Sequence, residues 1–443
     1  MSMDALMASV NSFVWGPVML VFLAGTGVLL TARLGGVQLR RLPHALKLVF
    51  SHDDAEAAGD ISPFQALTTA LAATIGTGNI AGVATAIYLG GPGAIFWMWV
   101  CALFGMATKY AEAVLAVHYR QLLPDGTMQG GPMRYLSQGL GHKWLGMLFA
   151  IMGSVAAFGI GSMVQSNSVA VALDSTLAVP PLCTGIVLGV LAAVVIIGGI
   201  KRIGQVTAKL VPIMALVYVG AAGVILFLNA AMLPEAFALI FKHAFTPSAG
   251  SGGFVGASVA MAVRFGVARG VFSNEAGLGS APIAHAAAKT SSPVRQGLIA
   301  MTGVFFDTLI VCTMTALVIL TSGIWDCGAS SSALTAAAFQ SSLPQMGGII
   351  VALTLTVFAY STIIGWAYYG EQCIEYVFGL RARTPYRCLF CLVVVVGAVQ
   401  KVAFVWDFSD TMNGAMAIPN LIGLIGLSGV VVKLTREYWA DHV

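Results

Sequence analysis

Apolar residues run along this chain in blocks of about 20 or more, separated by short polar stretches that hold most of the lysines and arginines. A mostly apolar block of about 20 residues has the length of a membrane-spanning helix. Eleven blocks qualify: 12–32, 61–88, 93–119, 144–174, 181–200, 204–229, 254–286, 294–323, 345–377, 386–402 and 415–434. Two of them, 144–174 and 345–377, are long enough to tilt or to carry a turn outside the membrane. The first has no Lys or Arg before it and Arg33 after it, so it reads as a retained helix rather than a cleaved leader. The segment 37–50, VQLRRLPHALKLVF, has the pattern of an amphipathic helix on the membrane surface, with an ordinary basic loop as the alternative.

Loop charge then sets orientation. With the N-terminus outside, the inner loops and ends hold Arg33, Arg40, Arg41, Lys47, Lys109, Arg120, Arg134, Lys143, Lys201, Arg202, Lys209, Lys289, Arg295, Arg381, Arg383, Arg387, Lys433 and Arg436, which is 18 of the 22 basic residues. Lys242 and Lys401 fall outside, and Arg264 and Arg269 fall within a span. An N-out, C-in membrane protein follows. Lys109 and Glu112, three apart, read as a surface pair at the inner end of their helix.

Composition narrows the class. Charged residues are only 9% of the 443 and hydrophobic ones 58%, against about 25% charged in soluble domains. That excludes a soluble enzyme, a disordered chain and a secreted disulfide scaffold. The net charge of +4 is spread thinly and offers nothing to a nucleic acid. The seven Cys lie mostly in apolar stretches and read as small buried side chains. The seven His are scattered, with only His285 near a helix break, and suggest neither a metal site nor a proton relay.

Two spans carry runs that interrupt a helix: Thr74-Ile75-Gly76-Thr77-Gly78-Asn79 and Phe272-Ser273-Asn274-Glu275-Ala276-Gly277-Leu278-Gly279. Glycine and hydroxyl residues weaken the helix there, and freed backbone groups in a membrane must find a ligand, water or protein. Asn79–Ala86 aligns with Asn274–Ala281 at an offset of 195, with Asn, Ala, Gly and Ala identical. Each run opens a set of five blocks, 61–229 and 254–434. Five is odd, so the second set enters from the opposite side, as in the inverted repeats of secondary transporters. The predicted fold is therefore an all-α polytopic membrane protein with eleven transmembrane helices, one N-terminal helix preceding a five-plus-five inverted repeat with two discontinuous helices. Residues 1–60 hold the N-terminal helix and the cytoplasmic amphipathic segment, and 61–229 the first repeat. An extracellular linker, 230–253, has a short lid helix at Ala236–Phe241 and a flexible second half; 254–443 holds the second repeat and a cytoplasmic C-terminus.

Ala73–Ala86, the block Gly90-Gly-Pro-Gly-Ala-Ile-Phe-Trp-Met-Trp99, Gly105–Tyr110, Gly130–Met133, Met163–Ser168 and Arg269–Pro282 closely resemble the alanine or glycine:cation symporter family of the amino acid–polyamine–cation superfamily. The resemblance covers nearly the whole chain. It implies an importer of small neutral amino acids in a bacterial or archaeal plasma membrane, coupled to sodium and in some members to protons, working by alternating access without a cofactor.

A zwitterion needs an anion site beside a cation site. Gly76, Thr77, Gly78 and Asn79 can offer backbone N–H groups and an amide to the carboxylate; Asn79 can alternatively give its carbonyl oxygen to sodium. Carbonyls near Gly270–Ser273, with Gln165 and Thr362, are acceptors for the amine. The resemblance implies substrate contacts at Asn79, Gln165, Thr362 and Trp366; Phe272 and Trp366 would limit side-chain size, and the small Ser162 would widen the pocket. Sodium requires several hard oxygens. The resemblance places them at the carbonyls of Ala72, Ile75 and Phe358 and the hydroxyls of Ser361 and Thr362, without a carboxylate. Among the intramembrane charges Arg264, Arg269, Glu275, Asp307, Glu371 and Glu375, a gate is expected at Arg264, Arg269 and Glu275, the arginine's partner being left open.

Rival classes fare worse. A channel more often repeats a filter across subunits, no nucleophile–base pair suggests an intramembrane enzyme, and a non-transporting sensor has no added soluble domain to signal through. A proton-coupled importer of the same substrates remains the nearest alternative. No obligate protein partner is inferred beyond the bilayer.

Overall fold

The computed structural model describes residues 10–11, 14–51, 57–248 and 256–441. Parts of the N-terminal unit (1–9, 12–13 and 52–56), the linker (249–253), the seventh span (254–255) and the C-terminus (442–443) lie outside the described residues. Among the described residues the chain is a bundle of helices with one two-stranded hairpin, Gln121–Leu122 paired with Met128–Gln129. Among the described residues, five helices are long and apolar enough to cross a membrane: Ala94–His118, Lys143–Leu177, Gly199–Leu228, Pro293–Thr321 and Gly347–Phe378. The number is seven if each of two bent pairs, Pro63–Thr74 with Gly78–Gly90 and Val402–Gly426 with Ser428–Ala440, counts as one span.

Ala94–His118 runs through the centre. Ala102, Gly105, Ala107 and Ala111 are buried on it, and side chains this small let Pro293–Val304 and Val259–Asn274 approach its backbone closely. The expected surface segment is helical at Leu42–Val49, burying Ala45 and Val49 against Pro293–Val304. The lid helix is longer than the pattern suggested, Leu233–Phe245. A further helix, Ser331–Ser342, lies between two spans where no apolar block pointed to one.

Two expectations need correction. The last span does not start at 415: the helix begins at Val402 and bends by 55° before Ser428. Asp407, Asp410, Thr411 and Asn413 mask its first turns in the hydropathy pattern, and the preceding helix correspondingly stops at Ala398. Lys109 and Glu112 are not a surface pair. Both are buried, and each binds a different element of the second helix break, which removes Lys109 from the loop charges and leaves 17.

Candidate functional site

Both expected breaks exist. The helix Pro63–Thr74 starts with a capping box, Ser62 and Gln65 exchanging side-chain and backbone bonds with Pro63 at the first position. It stops before Ile75, and the chain resumes through a π-helical turn at Gly78–Gly82, bent by 50°. The second helix, Val259–Asn274, ends at Glu275, whose φ of 58° is left-handed. Gly277 and Gly279 follow at φ 90° and 82°, a backbone that side chains resist, before Ala281–Ala286 resumes. The aligned asparagines bracket these breaks differently: Asn79 follows the first and Asn274 precedes the second.

The two asparagines nevertheless do parallel work. Asn79 Oδ1 accepts from Gly76 N at 2.9 Å, and Asn274 Oδ1 accepts from Ala276 N at 3.0 Å. Each thereby satisfies a backbone donor released by its break. Their amide nitrogens reach one short π-helical stretch, Phe305–Cys312. Asn79 Nδ2 donates to Asp307 Oδ1 at 2.8 Å, and Asn274 Nδ2 donates to Thr308 Oγ1 at 3.1 Å. Thr308 Oγ1 in turn donates to Asp307 Oδ2 at 2.7 Å, and Ser273 Oγ donates to the same oxygen at 2.9 Å. Sequence reasoning marked Asp307 as an intramembrane charge and missed Thr308.

Around the first break, Gln165 Oε1 accepts from Thr77 N at 3.3 Å, and Gln165 Nε2 donates to Ile160 O at 2.8 Å. A Cβ on Gly76 would lie 2.3 Å from Thr362 Oγ1 and 3.2 Å from Gln165 Oε1, so only glycine allows these two side chains this close to the backbone. A Cβ on Gly78 would meet Ser273 Cα at 3.1 Å and the Phe272 ring at 3.3 Å. The residues singled out at 76–79, 165, 272 and 362 therefore lie at one centre, all buried. Among the described residues, the buried hydroxyls Thr77 Oγ1 and Ser162 Oγ have no hydrogen-bond partner.

The five oxygens proposed for sodium also converge. Ser361 Oγ donates to Phe358 O at 2.8 Å and lies 3.2 Å from Ala72 O and 3.5 Å from Ile75 O. Thr362 Oγ1 is 3.0 Å from Ala72 O and 3.1 Å from Phe358 O. An ion entering here would turn both hydroxyls from donors to ligands, with no carboxylate in this set.

Trp366 is fully buried, and its indole N–H donates to Glu275 Oε1 at 2.6 Å; Glu275 Oε2 accepts from Ser280 Oγ at 2.7 Å. Glu275 thus stabilises the second break rather than answering an arginine. The expected trio of gating charges separates. Arg269 Nη2 pairs with Asp410 Oδ2, a partner the sequence reading had placed in a loop. The Arg269 guanidinium lies 5.4 Å from the Phe272 ring and 5.2 Å from Trp406, and those two rings pack at 5.1 Å. Arg264 sits over Phe265 at 5.5 Å. Glu371 and Glu375 pair with Arg387 and Arg383 at one end of their helix, and Arg383 also binds Asp125 of the hairpin loop at 2.6 Å.

Lys109 and Glu112 were the larger omission. Lys109 Nζ donates to Asn274 O at 2.7 Å, placing a cation at the negative end of a helix. Glu112 Oε1 accepts from Gly277 N and Gly279 N, both at 3.1 Å, and from Asn420 Nδ2 at 2.7 Å. One carboxylate thus ties the unwound backbone to the last long helix.

Residues 1–442 match the sodium:alanine symporter family. The chain belongs to this family. It is 57% identical over 447 residues to the sodium/alanine symporter AgcS of Methanococcus maripaludis, covering 99% of this chain and 98% of that one. It is 38% identical to the amino-acid carrier protein AlsT of Bacillus subtilis, over 97% and 90% of the two chains. Among solved structures it resembles MhsT in complex with L-phenylalanine, at a TM-score of 0.61 and 14% identity over 87% of this chain and 90% of that one. It also resembles a manganese transporter of Eremococcus coleocola at a TM-score of 0.51 and 14% identity, over 86% and 83%. Those likenesses give the transporter its fold: an all-α membrane protein of the LeuT-like kind with broken helices. Membership of the family makes it a multi-pass membrane transporter and not an enzyme.

Proposed function

We propose that this symporter imports a small neutral amino acid, alanine first, coupled to sodium by alternating access. The observation that carries the proposal is the convergence of five oxygens from Ala72, Ile75, Phe358, Ser361 and Thr362 beside the first helix break. Such a set, neutral and made of hard oxygens, suits a monovalent ion, and its dipole-only binding favours release where sodium is scarce.

The substrate carboxylate would take the Gly76–Asn79 backbone donors now held by Asn79 and Gln165. Its amine would find Gln165 Oε1 and the carbonyls before Ser273. Thr362 belongs to both sites, its hydroxyl facing Gly76 on one side and Ala72 O on the other, so ion and substrate share a wall. Phe272 and Trp366 restrict the side chain to the size of alanine, glycine or serine, in either enantiomer. The Arg269–Asp410 pair, roofed by Trp406 and Phe272, serves as the gate in place of the predicted trio.

Eleven spans remain our reading of the topology. The seven long or bent spans and the shorter apolar helices Pro17–Arg33 and Pro181–Ile196, with Arg383–Ala398 and the broken pair Val259–Asn274 and Ala281–Ala286, bring the number to eleven. Residues 61–229 and 254–443 then form the inverted halves after the N-terminal unit 1–60, joined by an outer linker at 230–253. The 17 loop charges support an outer N-terminus and a cytoplasmic C-terminus in the plasma membrane. Proton coupling is the second reading, because Asp307 is a buried carboxylate within reach of Asn79 and Ser273.

Radiolabelled alanine uptake into proteoliposomes tests both. Accumulation above equilibrium under an inward sodium gradient, and none under an equal potassium gradient, is the expected result. Accumulation driven by a pH gradient without sodium overturns sodium coupling, and no uptake of alanine, glycine or serine under any gradient overturns the substrate class.

A further inference from the structure

At the end of the first helix the chain builds a basic cleft that the transport site does not use. Its volume is about 390 Å³, and it is lined by Arg33, Arg40, Arg41, Thr435, Arg436 and Trp439, together with small and apolar residues but no Asp or Glu. Among the described residues, none of these four arginines has a carboxylate within ion-pair distance; the ion pairs lie elsewhere. Arg33 Nη1 instead bonds Ser428 Oγ at 2.5 Å, and the Arg41 guanidinium lies 3.7 Å from the centre of the Trp439 ring. Four guanidinium groups around one concavity repel each other unless an anion sits among them.

We infer that this cleft binds the phosphate-bearing headgroup of an anionic phospholipid. Guanidinium forks match phosphate oxygens in geometry as well as charge, and basic pockets between transmembrane helices on the cytoplasmic side bind such headgroups. The bilayer depth fits: Tyr438 and Trp439 pack at 5.1 Å, and ring pairs of this kind mark the interface. Acyl chains have a place as well. The helix Pro17–Arg33 leaves Val28, near the cleft, 47% exposed. It also borders an apolar crevice of about 240 Å³ lined by Leu20, Gly27, Val28 and Phe104. Val28 lies five residues before Arg33, or about 7.5 Å along a helix, within the reach of a lipid whose phosphate sits in the cleft. Free phosphate would use the arginines and leave that crevice without a role.

Native mass spectrometry of the delipidated, full-length protein tests the assignment. The probes are phosphatidylglycerol, phosphatidylcholine and inorganic phosphate. Phosphatidylglycerol should be retained in preference to phosphatidylcholine. Arg41→Gln or Arg436→Gln should each weaken retention about fivefold, and the double variant about thirtyfold. Lys143→Gln and Lys209→Gln, basic residues outside the cleft, should leave it unchanged. Arg436 is exposed and Arg41 is half-buried against Trp439, so the singles, Arg436→Gln above all, decide the matter if the double variant does not fold. Equal retention in wild type and the cleft variants, or an equal loss in the two controls, overturns the site. Inorganic phosphate binding as tightly as phosphatidylglycerol overturns the lipid.

Discussion

Replacing Arg269 should expose how much the fold depends on one buried ion pair. Arg269 and Asp410 are nearly inaccessible, with side-chain exposures of 10% and 5%. Their contact is one-pronged: Arg269 Nε and Nη1 and Asp410 Oδ1 are buried without partners. Removing one member of a buried pair costs about 3–5 kcal/mol, because the other charge is stranded. Arg269→Met leaves the Asp410 carboxylate alone, so about 3 kcal/mol is expected, at the low end because only one of its oxygens is engaged. Asp410→Asn should cost less, about 2 kcal/mol, since Phe272 and Trp406 still hold the cation through their ring faces. The double variant should lose less than the sum of the two, with a coupling of about 2 kcal/mol. Thermal unfolding of the four proteins in detergent measures this cycle. A coupling below about 0.5 kcal/mol, the ordinary limit of additivity, would refute the pair's energetic role. The proposed gate makes a separate demand: alanine uptake in a stable double variant should stay below about one-tenth of wild type, as expected when an interaction worth about 1.4 kcal/mol or more in the rate-limiting closure is lost. Wild-type uptake there would reduce the pair to scaffolding.

Thr362→Ala removes the hydroxyl shared by the proposed ion and substrate sites and should raise the sodium concentration for half-maximal uptake at least about tenfold, the loss of about 1.4 kcal/mol, with membrane insertion unchanged on immunoblots. Gly76→Ala drives a Cβ to 2.3 Å from Thr362 Oγ1; overpacking of about 1–3 kcal/mol should abolish uptake, and Gly76→Ala combined with Thr362→Ser should not restore it because the hydroxyl remains. Glu112→Leu deprives Gly277 and Gly279 of their acceptor and should lower the melting temperature, at about 1–3 kcal/mol per stranded donor, whereas Glu112→Gln keeps one acceptor oxygen and should lie nearer wild type. Replacing sodium with potassium in the melting buffer should lower the midpoint of wild type but not of a Ser361→Ala/Thr362→Ala variant, as linkage to a bound ion requires.

What the sequence revealed followed from local pattern. The two breaks were legible because Gly76, Gly78, Gly277 and Gly279 interrupt apolar runs, and Ser361-Thr362 stood out as adjacent hydroxyls in a long apolar helix. Asp410 was misplaced because the run from Asp407 to Asn413 lowers the hydropathy of what proves to be the first half of Val402–Gly426. Its partner on another helix is the reason a carboxylate is tolerated there, and no window along the chain contains both. Lys109 and Glu112 failed for a related reason. Their three-residue spacing suggested a surface pair, while their actual partners, Asn274, Gly277, Gly279 and Asn420, lie at least 165 residues away. A charge pattern shows which residues need a partner and is silent about which fold supplies one.

The wide turn at Phe305–Cys312 has an energetic consequence. Asp307 holds the first break through Asn79, and the next residue, Thr308, holds the second through Asn274, so a single peptide unit lies between the two clasps. Any ligand that tightens one clasp changes the work needed to tighten the other. Such a coupling free energy is necessarily reciprocal. The factor by which sodium sharpens alanine affinity must equal the factor by which alanine sharpens sodium affinity, and Thr308→Val, which keeps the shape and loses the acceptor, should bring both factors toward one together.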